Sequence, residues 1–242
     1  EFRRVLFRSN RRFGKVARGW IPKLAALGTP LLDAATAPAT LDLMVSWFAR
    51  RSPPTVGVLF PALPAAGPTA NLLRERANRL GLRLEEFDRH ERAILNSGAR
   101  GGQSPEASVS SKKMKELRRQ RRRLEEHGVL SWTSVSDPGA VRVALENFYA
   151  LEASGWKGRA GSALVNDAAT ATFGRAMTRL LAAQGLCRID ALEIDGRPIA
   201  MGVTIKSGRN AALWKIAYDE SLSPYSLGVQ FILEYEIGRA HV

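Results

Sequence analysis

The stretch Ser223-Pro224-Tyr225-Ser226-Leu227-Gly228-Val229 joins a strand-like segment to an apolar helical one. The first turn of a helix exposes backbone N–H groups and the positive end of the helix dipole, and such a turn holds phosphate oxygens. Gly228 lets the backbone come close to a pyrophosphate. Tyr225, Ser226, Leu227, Gly228 and Val229 are therefore the candidate phosphate-binding residues. Further back, Lys112, Lys113, Lys115, Arg118, Arg119, Arg121, Arg122 and Arg123 crowd eight cations into twelve residues, with Glu116 as the only acid among them. Met114, Leu117 and Leu124 leave a thin apolar stripe to pack inward. The remaining face, with Arg118 and Arg122 near its middle, suits a polyanion or is simply solvated. A third group, Glu152, Trp156, Lys157 and Arg159, lies in a Gly-containing stretch. An exposed Trp beside cations fits a sugar face or an anionic acceptor, and a Trp plugging the core fits equally well.

Other chemistries find little support. Cys187 is the only cysteine, and His90, His127 and His241 are scattered, so no disulfide framework or metal cluster is expected. Cys187 opens a strand-like run and reads as a small buried apolar residue. No Ser-His-Asp or Cys-His grouping stands out. Trp20, Trp47 and Trp132 read as packing residues.

The chain has 242 residues, with 36 Lys+Arg against 23 Asp+Glu, a formal charge of +13. Its hydrophobic content of 45% is enough for a core. One or two domains are expected at roughly 100–200 residues each. No apolar run reaches the roughly 18 residues of a membrane span, and no charged-then-apolar leader opens the chain. A soluble cytoplasmic protein is expected.

The ends stand apart from the rest. Residues 1–9, EFRRVLFRS, and 237–242, IGRAHV, resemble translations of the two strands of one sequencing adapter. Excluding them removes four arginines and one glutamate, leaving 32 Lys+Arg and 22 Asp+Glu, or +10.

Two blocks supply the elements. In residues 10–96, a helix is expected over 40–51, with Thr40 as its cap and Pro53-Pro54 after it. A buried strand over 55–60 follows, then an amphipathic helix over 68–81 with Leu72, Leu73, Ala77 and Leu80 inward. An alternating strand begins at 82. Residues 97–109, SGARGGQSPEASV, have linker composition. The second block, 110–236, opens with the basic helix, capped by Ser110 or Ser111 and ended by Gly128. Next come a strand at 129–135 and a helix at 137–154 with Asp137 as cap and Val141, Leu145, Phe148 and Leu151 inward. After an irregular loop at 155–164, a helix at 166–185 turns Phe173, Met177, Leu180 and Leu181 inward. Strands at 187–195, 198–207 and 211–219 form a meander, with Asp195-Gly196 as its first hairpin turn. Strict alternation in the third strand puts Trp214, Ile216 and Tyr218 on one face and Leu213, Lys215, Ala217 and Asp219 on the other.

Four stretches of the second block resemble one family: the basic helix SKKMKELRRQRRRLEEHG, the tryptophan loop LEASGWKGRAGSAL, the meander IDALEIDGRPIAMGVTIKSGRNAALWKIAYDE, and PYSLG at the entry to the last helix. The chain resembles a GNAT-type acyltransferase, nearest to the CelD/BcsL-like, BioF2-like group related to the FemAB peptidyltransferases. The resemblance implies an α/β fold, a GNAT-like mixed sheet flanked by helices. It also implies parts of two tandem repeats, with residues 10–96 as the closing part of a first GNAT-like domain and 110–236 as the opening part of a second.

The family implies transfer of an acyl group from acyl-CoA, such as acetyl-CoA, to an amine or hydroxyl, without a metal. Members are often associated with cellulose, exopolysaccharide or cell-envelope metabolism. In GNAT enzymes the loop before this helix cradles the CoA pyrophosphate with a Gln/Arg-x-x-Gly-x-Gly pattern, of which only one glycine is present here. The preceding strand lines the acyl site, which makes Tyr218 and Asp219 the catalytic candidates. Glu220, Asp190 and Glu193 are further titratable groups, since the attacking amine must lose a proton. Glu152, Trp156, Lys157, Arg159, Arg118 and Arg122 are the candidate acceptor-binding residues. The basic helix could meet a CoA phosphate, an anionic saccharide, a lipid-linked pyrophosphate or tRNA. Nucleic acid ranks last, because no RNA-binding aromatic motif accompanies it. Two alternatives stand beside this reading: a FemAB-like transferase using aminoacyl-tRNA, and a non-catalytic module that holds a polyanion.

Overall fold

The structure is a computed structural model that describes residues 7–10, 15–50, 55–91, 109–208 and 210–237. The chain divides into two compact units, Glu1–Arg92 and Ala93–Val242. The linker expected at 97–109 lies outside the described residues except for Val109. Pro53, Pro54, Arg209 and the terminal segment 238–242 lie outside them too.

In the first unit, strands β1 (Phe7–Asn10), β2 (Lys15–Gly19) and β3 (Thr55–Leu59) make one mixed sheet. β1 is antiparallel to β2, and β2 is parallel to β3. β1 falls mostly within the segment read as adapter-like. Helix α1 (Ala37–Ala49) starts ahead of the expected Thr40. Thr36 takes the cap position, and Pro38 sits in the first turn, where a missing N–H costs nothing. Helix α2 (Pro68–Arg79) buries Ala70 and Ala77, whereas Leu80 ends the helix at 42% exposure, not inward as its spacing predicts. The strand expected from residue 82 does not form within 82–91, where Leu82, Leu84 and Phe87 are exposed. Alternation makes a strand only where a neighbouring edge pairs its N–H and C=O groups.

The second unit contains α3 (Ser111–Glu125), β4 (Leu130–Val135), α4 (Pro138–Ser154), α5 (Trp156–Arg159), α6 (Ala168–Ala182), β5 (Cys187–Ile194), β6 (Arg197–Ser207), β7 (Asn210–Tyr218) and α7 (Leu227–Ile237). The caps explain the helix starts. The Ser110 hydroxyl accepts from the Lys113 amide, and the Asp137 carboxylate accepts from Gly139 and Ala140. The four strands form an antiparallel sheet in the order β4-β5-β6-β7. Asp195 and Gly196 turn the β5–β6 hairpin with φ of 48° and 76°, the left-handed pair that such turns require.

Helices cover both faces of this sheet. α4, with Val141, Leu145 and Phe148 buried, packs on β5 and β6, where Ile189, Met201 and Val203 are buried as well. On the other face Leu227, Phe231 and Tyr235 of α7 pack with Leu192, Ile199, Ala200 and Leu124 of α3. α3 is tied to α7 by the Gln230 amide donating to the Leu117 carbonyl at 2.9 Å and by Arg121–Glu234 at 2.6 Å.

α6 departs from the expectation drawn from its sequence. Its inward residues are Ala171, Gly174, Thr178 and Ala182, while Phe173 and Leu180 are 49% and 60% exposed. The reason is proximity to α4. A Cβ on Gly174 would overlap the Tyr149 hydroxyl, which donates to the Ala171 carbonyl at 3.1 Å. Small residues allow this approach, and the large apolar side chains turn outward. The loop expected over 155–164 also gains order, with one helical turn at α5 and a 3-10 turn at Leu164–Asn166.

Candidate active site

β7 does not alternate strictly. Thr204 pairs with Leu213 and Val203 with Lys215, so Trp214 is an extra residue, a β-bulge. Cross-strand partners share a face. The bulge therefore puts Leu213, Ile216 and Tyr218 on the α7 side and Lys215 and Ala217 on the α4 side. Leu213 and Ile216 do pack on the α7 cluster. Trp214 reaches Gly174 of α6, on the α4 side. The expected grouping of Trp214 with Ile216 and Tyr218, and of Leu213 with Lys215, is corrected by this one inserted residue.

Beyond β7 the chain makes a 3-10 turn, Glu220–Tyr225, and then α7. Asp219 caps that turn. One carboxylate oxygen accepts from the Ser221 amide at 3.0 Å and hydroxyl at 2.6 Å, and the other accepts from Arg197 at 2.8 Å. Glu220 accepts from the Trp156 amide at 2.8 Å and from Arg159 at 2.6 Å. These two donors, the backbone amide first, hold its carboxyl below the ordinary carboxylate range. Both acids are thus committed as structural acceptors. Asp190 likewise binds Ser134 and Arg188, and Glu193 accepts from Thr133. The Tyr218 hydroxyl differs, having no partner among the described residues. Tyr218 is 37% exposed, and its ring lies against Gly228.

The turn into α7 has a distinctive backbone. Ser226 is left-handed, with φ 55° and ψ 44°. Its carbonyl accepts from the Val229 and Gln230 amides at 2.9 and 3.0 Å, which starts the helix. No side chain among the described residues caps the Leu227 or Gly228 amide. With Gly228 taken as the closing glycine of the Gly-x-Gly pattern, Ser226 stands at the first. It adopts the conformation that glycine takes without strain. The missing glycine therefore leaves the path of the chain intact.

The other loop residues serve the protein itself. Leu227 is 1% exposed and belongs to the core, so only its backbone can meet a ligand. The Tyr225 hydroxyl bonds His127 at 2.8 Å and ties the turn to the end of α3. Val229 is exposed.

The tryptophan-loop residues converge on the end of β7. Trp156 and Arg159 are joined to Glu220, and Lys157 donates to the Ile216 carbonyl at 3.4 Å. Trp156 is 55% exposed, not a core plug. Glu152 is instead buried in α4, accepting from Lys157 at 2.8 Å and from the Leu164 amide at 2.8 Å. Position 152 falls within the helix expected at 137–154, four residues after the inward Phe148, so helical spacing placed it on the buried face although its charge grouped it with the loop cations. A cleft of about 560 Å³ opens beside these residues, lined by Asn147 and Ser154 of α4 and by Arg159, Arg197, Asp219 and Ser221. It does not extend to Gly228.

Arg118 and Arg122 stand apart on α3. With Lys112, Lys115, Arg119 and Arg123 they have no partner among the described residues. At about 100° per residue these six span an arc of about 140°, centred opposite the buried Leu117 and Leu124. No group of three or more His, Cys, Asp or Glu among the described residues could hold a metal ion. None of their helices is long and apolar enough to cross a membrane.

No curated protein matches this chain. A family model described as an acetyltransferase (GNAT) domain matches residues 111–237, from the first residue of α3 to the last of α7. The antiparallel meander, the helices on its two faces and the left-handed entry to α7 are thus those of a chain that belongs to the GNAT acetyltransferase family.

Proposed function

We propose that this GNAT domain transfers an acyl group from acyl-CoA, acetyl-CoA in the simplest case, to an amine or hydroxyl acceptor. The observation that carries the reading is the left-handed Ser226 ahead of a helix turn that no side chain among the described residues caps. The Leu227, Gly228 and Val229 backbone and the Ser226 hydroxyl would meet the diphosphate of the donor. Tyr218, at the start of this loop and with its hydroxyl unengaged among the described residues, would handle the proton released when the acceptor attacks. Asp219 is a positioning residue that holds the turn. Trp156, Lys157 and Arg159, with Arg197 across the cleft, would receive the acceptor, and Glu152 would hold Lys157 in place. The kinship to CelD/BcsL-like and BioF2-like proteins, a role in exopolysaccharide or cell-envelope metabolism, the tandem-repeat organisation and a cytoplasmic setting form part of this proposal. The test is titration calorimetry with CoA, followed by thiol release from acetyl-CoA with amine and hydroxyl acceptors. Binding with acceptor-dependent thiol release supports the reading; a null titration rejects it.

A second reading rests on α3. Six cations in one arc, without partners among the described residues, suit a polyanion contact, which would serve either an anionic acceptor or a module that binds without turnover. Anion binding that survives when thiol release is absent favours the module. Retention of charged tRNA with aminoacyl transfer favours the FemAB-like alternative.

A further inference from the structure

The left-handed backbone of Ser226 costs a residue with a Cβ free energy that glycine escapes. Such a residue persists where its surroundings over-determine it. Here one element, α3, reaches the turn on both sides of Ser226. Ahead of it, the Tyr225 hydroxyl bonds His127 Nε2 at 2.8 Å, and the two rings meet edge to face with centroids 5.3 Å apart. That hydroxyl has no other partner among the described residues. Behind it, the Gln230 backbone amide donates to the Ser226 carbonyl at 3.0 Å. The side-chain amide of the same Gln230, 4% exposed, donates to the Leu117 carbonyl of α3 at 2.9 Å. Between these ties, Leu227 is buried in the cluster that includes Leu124 of α3, and Tyr225 packs against that cluster.

The two ties differ in kind. The Gln230–Leu117 bond is buried and joins α7 to α3 as part of the core. His127 is exposed just past the end of α3, and its side chain bonds nothing else among the described residues. An exposed hydrogen bond exchanges with bonds to water and adds modestly to overall stability. Its leverage is local, because it fixes the residue immediately before Ser226.

We propose that His127 is a positioning residue for the acyl donor. Acting through Tyr225, and not on the donor itself, it holds Ser226 in the left-handed form from which the uncapped Leu227 and Gly228 amides receive a diphosphate. This rests on the reading of that turn as the donor site. Without the tie the turn samples other backbone conformations, and the donor binds only the competent fraction. Donor affinity then falls, while the chemistry of the bound donor is unchanged.

The test compares the full chain with His127→Ala, Tyr225→Phe and the double variant, with melting temperatures recorded for each. Calorimetry gives the Kd for CoA, and steady-state kinetics give kcat and the KM for acetyl-CoA. Each single variant should raise Kd and KM by about 3–10-fold, the range of one hydrogen bond, while kcat at saturating donor holds. The double variant should be no weaker than either single, because all three remove the same bond. Should His127→Ala fail to fold, Tyr225→Phe, which keeps the ring and loses only the oxygen, decides the matter alone. Unchanged CoA affinity in the single variants, or losses that add in the double, overturns this inference while leaving the donor site standing. Absence of CoA binding by the unaltered chain overturns both.

Discussion

The ring of Tyr218, the last residue of β7, lies over Gly228 in the first turn of α7, so that a Cβ at Gly228 would stand 3.4 Å from Tyr218 Cε1. That is ordinary van der Waals contact, and Gly228 does not have a positive φ. The fold therefore does not require glycine there. Gly228→Ala should leave the protein as stable or raise stability by up to about 1 kcal/mol, through helix propensity. If the bare backbone is needed for the donor diphosphate, the same variant weakens CoA binding. Thermal melting with and without CoA measures both effects; a variant with unchanged CoA affinity removes Gly228 from the donor site.

Tyr218→Phe keeps the ring over Gly228 and removes a hydroxyl that has no partner among the described residues. Its melting temperature should stay put, while turnover falls by about 10²–10⁴-fold, as for loss of a general acid–base group. Steady-state kinetics with a fixed acceptor decide it, and wild-type turnover would exclude the hydroxyl from proton transfer.

Gly202 of β6 makes room for α7. A Cβ there would come within 2.7 Å of the Phe231 ring and 2.8 Å of Leu213. Both neighbours are in the buried cluster or packed on it, so neither can move freely. Gly202→Ala should cost about 1–3 kcal/mol by overpacking, read as a shift of the denaturant midpoint at unchanged slope.

The Cys187 thiol is 1% exposed, and burial pushes its pKa up from an ordinary 9.0 to about 11. The sign follows directly. A raised folded-state value favours the protonated thiol in the native protein, so this stabilisation is full below pH 9 and is lost as pH rises through about 11. Native protein at pH 8 should not react with a thiol reagent, and unfolded protein should react with one equivalent. Rapid labelling of the folded chain would show the site to be open.

On α3, Arg118→Glu with Arg122→Glu reverses two of the six charges that have no partner among the described residues. Stability should change by no more than about 0.5 kcal/mol, as for surface substitutions generally. Elution from an immobilised polyanion should move to lower salt. Unchanged elution would make the arc a solvated face.

Much of the second unit was legible in the residues themselves, because its signals are local. Ser110 and Asp137 cap α3 and α4 through contacts within three residues. Asp195-Gly196 carries the left-handed pair of a hairpin, and the charge density of residues 112–123 leaves one narrow apolar stripe to face inward. What only the tertiary structure decided depends on partners distant in sequence. The bulge at Trp214 is set by pairing with β6 and breaks the alternation, so that Leu213 and not Trp214 shares a face with Ile216. The contact with Tyr149 selects the small face of α6. The carboxylates of Glu152, Asp219 and Glu220 are engaged by Leu164, Arg197 and Trp156, groups 12, 22 and 64 residues away. Periodicity along a chain carries no record of which strand edge, helix or guanidinium will arrive beside a residue, and those arrivals decide which acids hold the fold together.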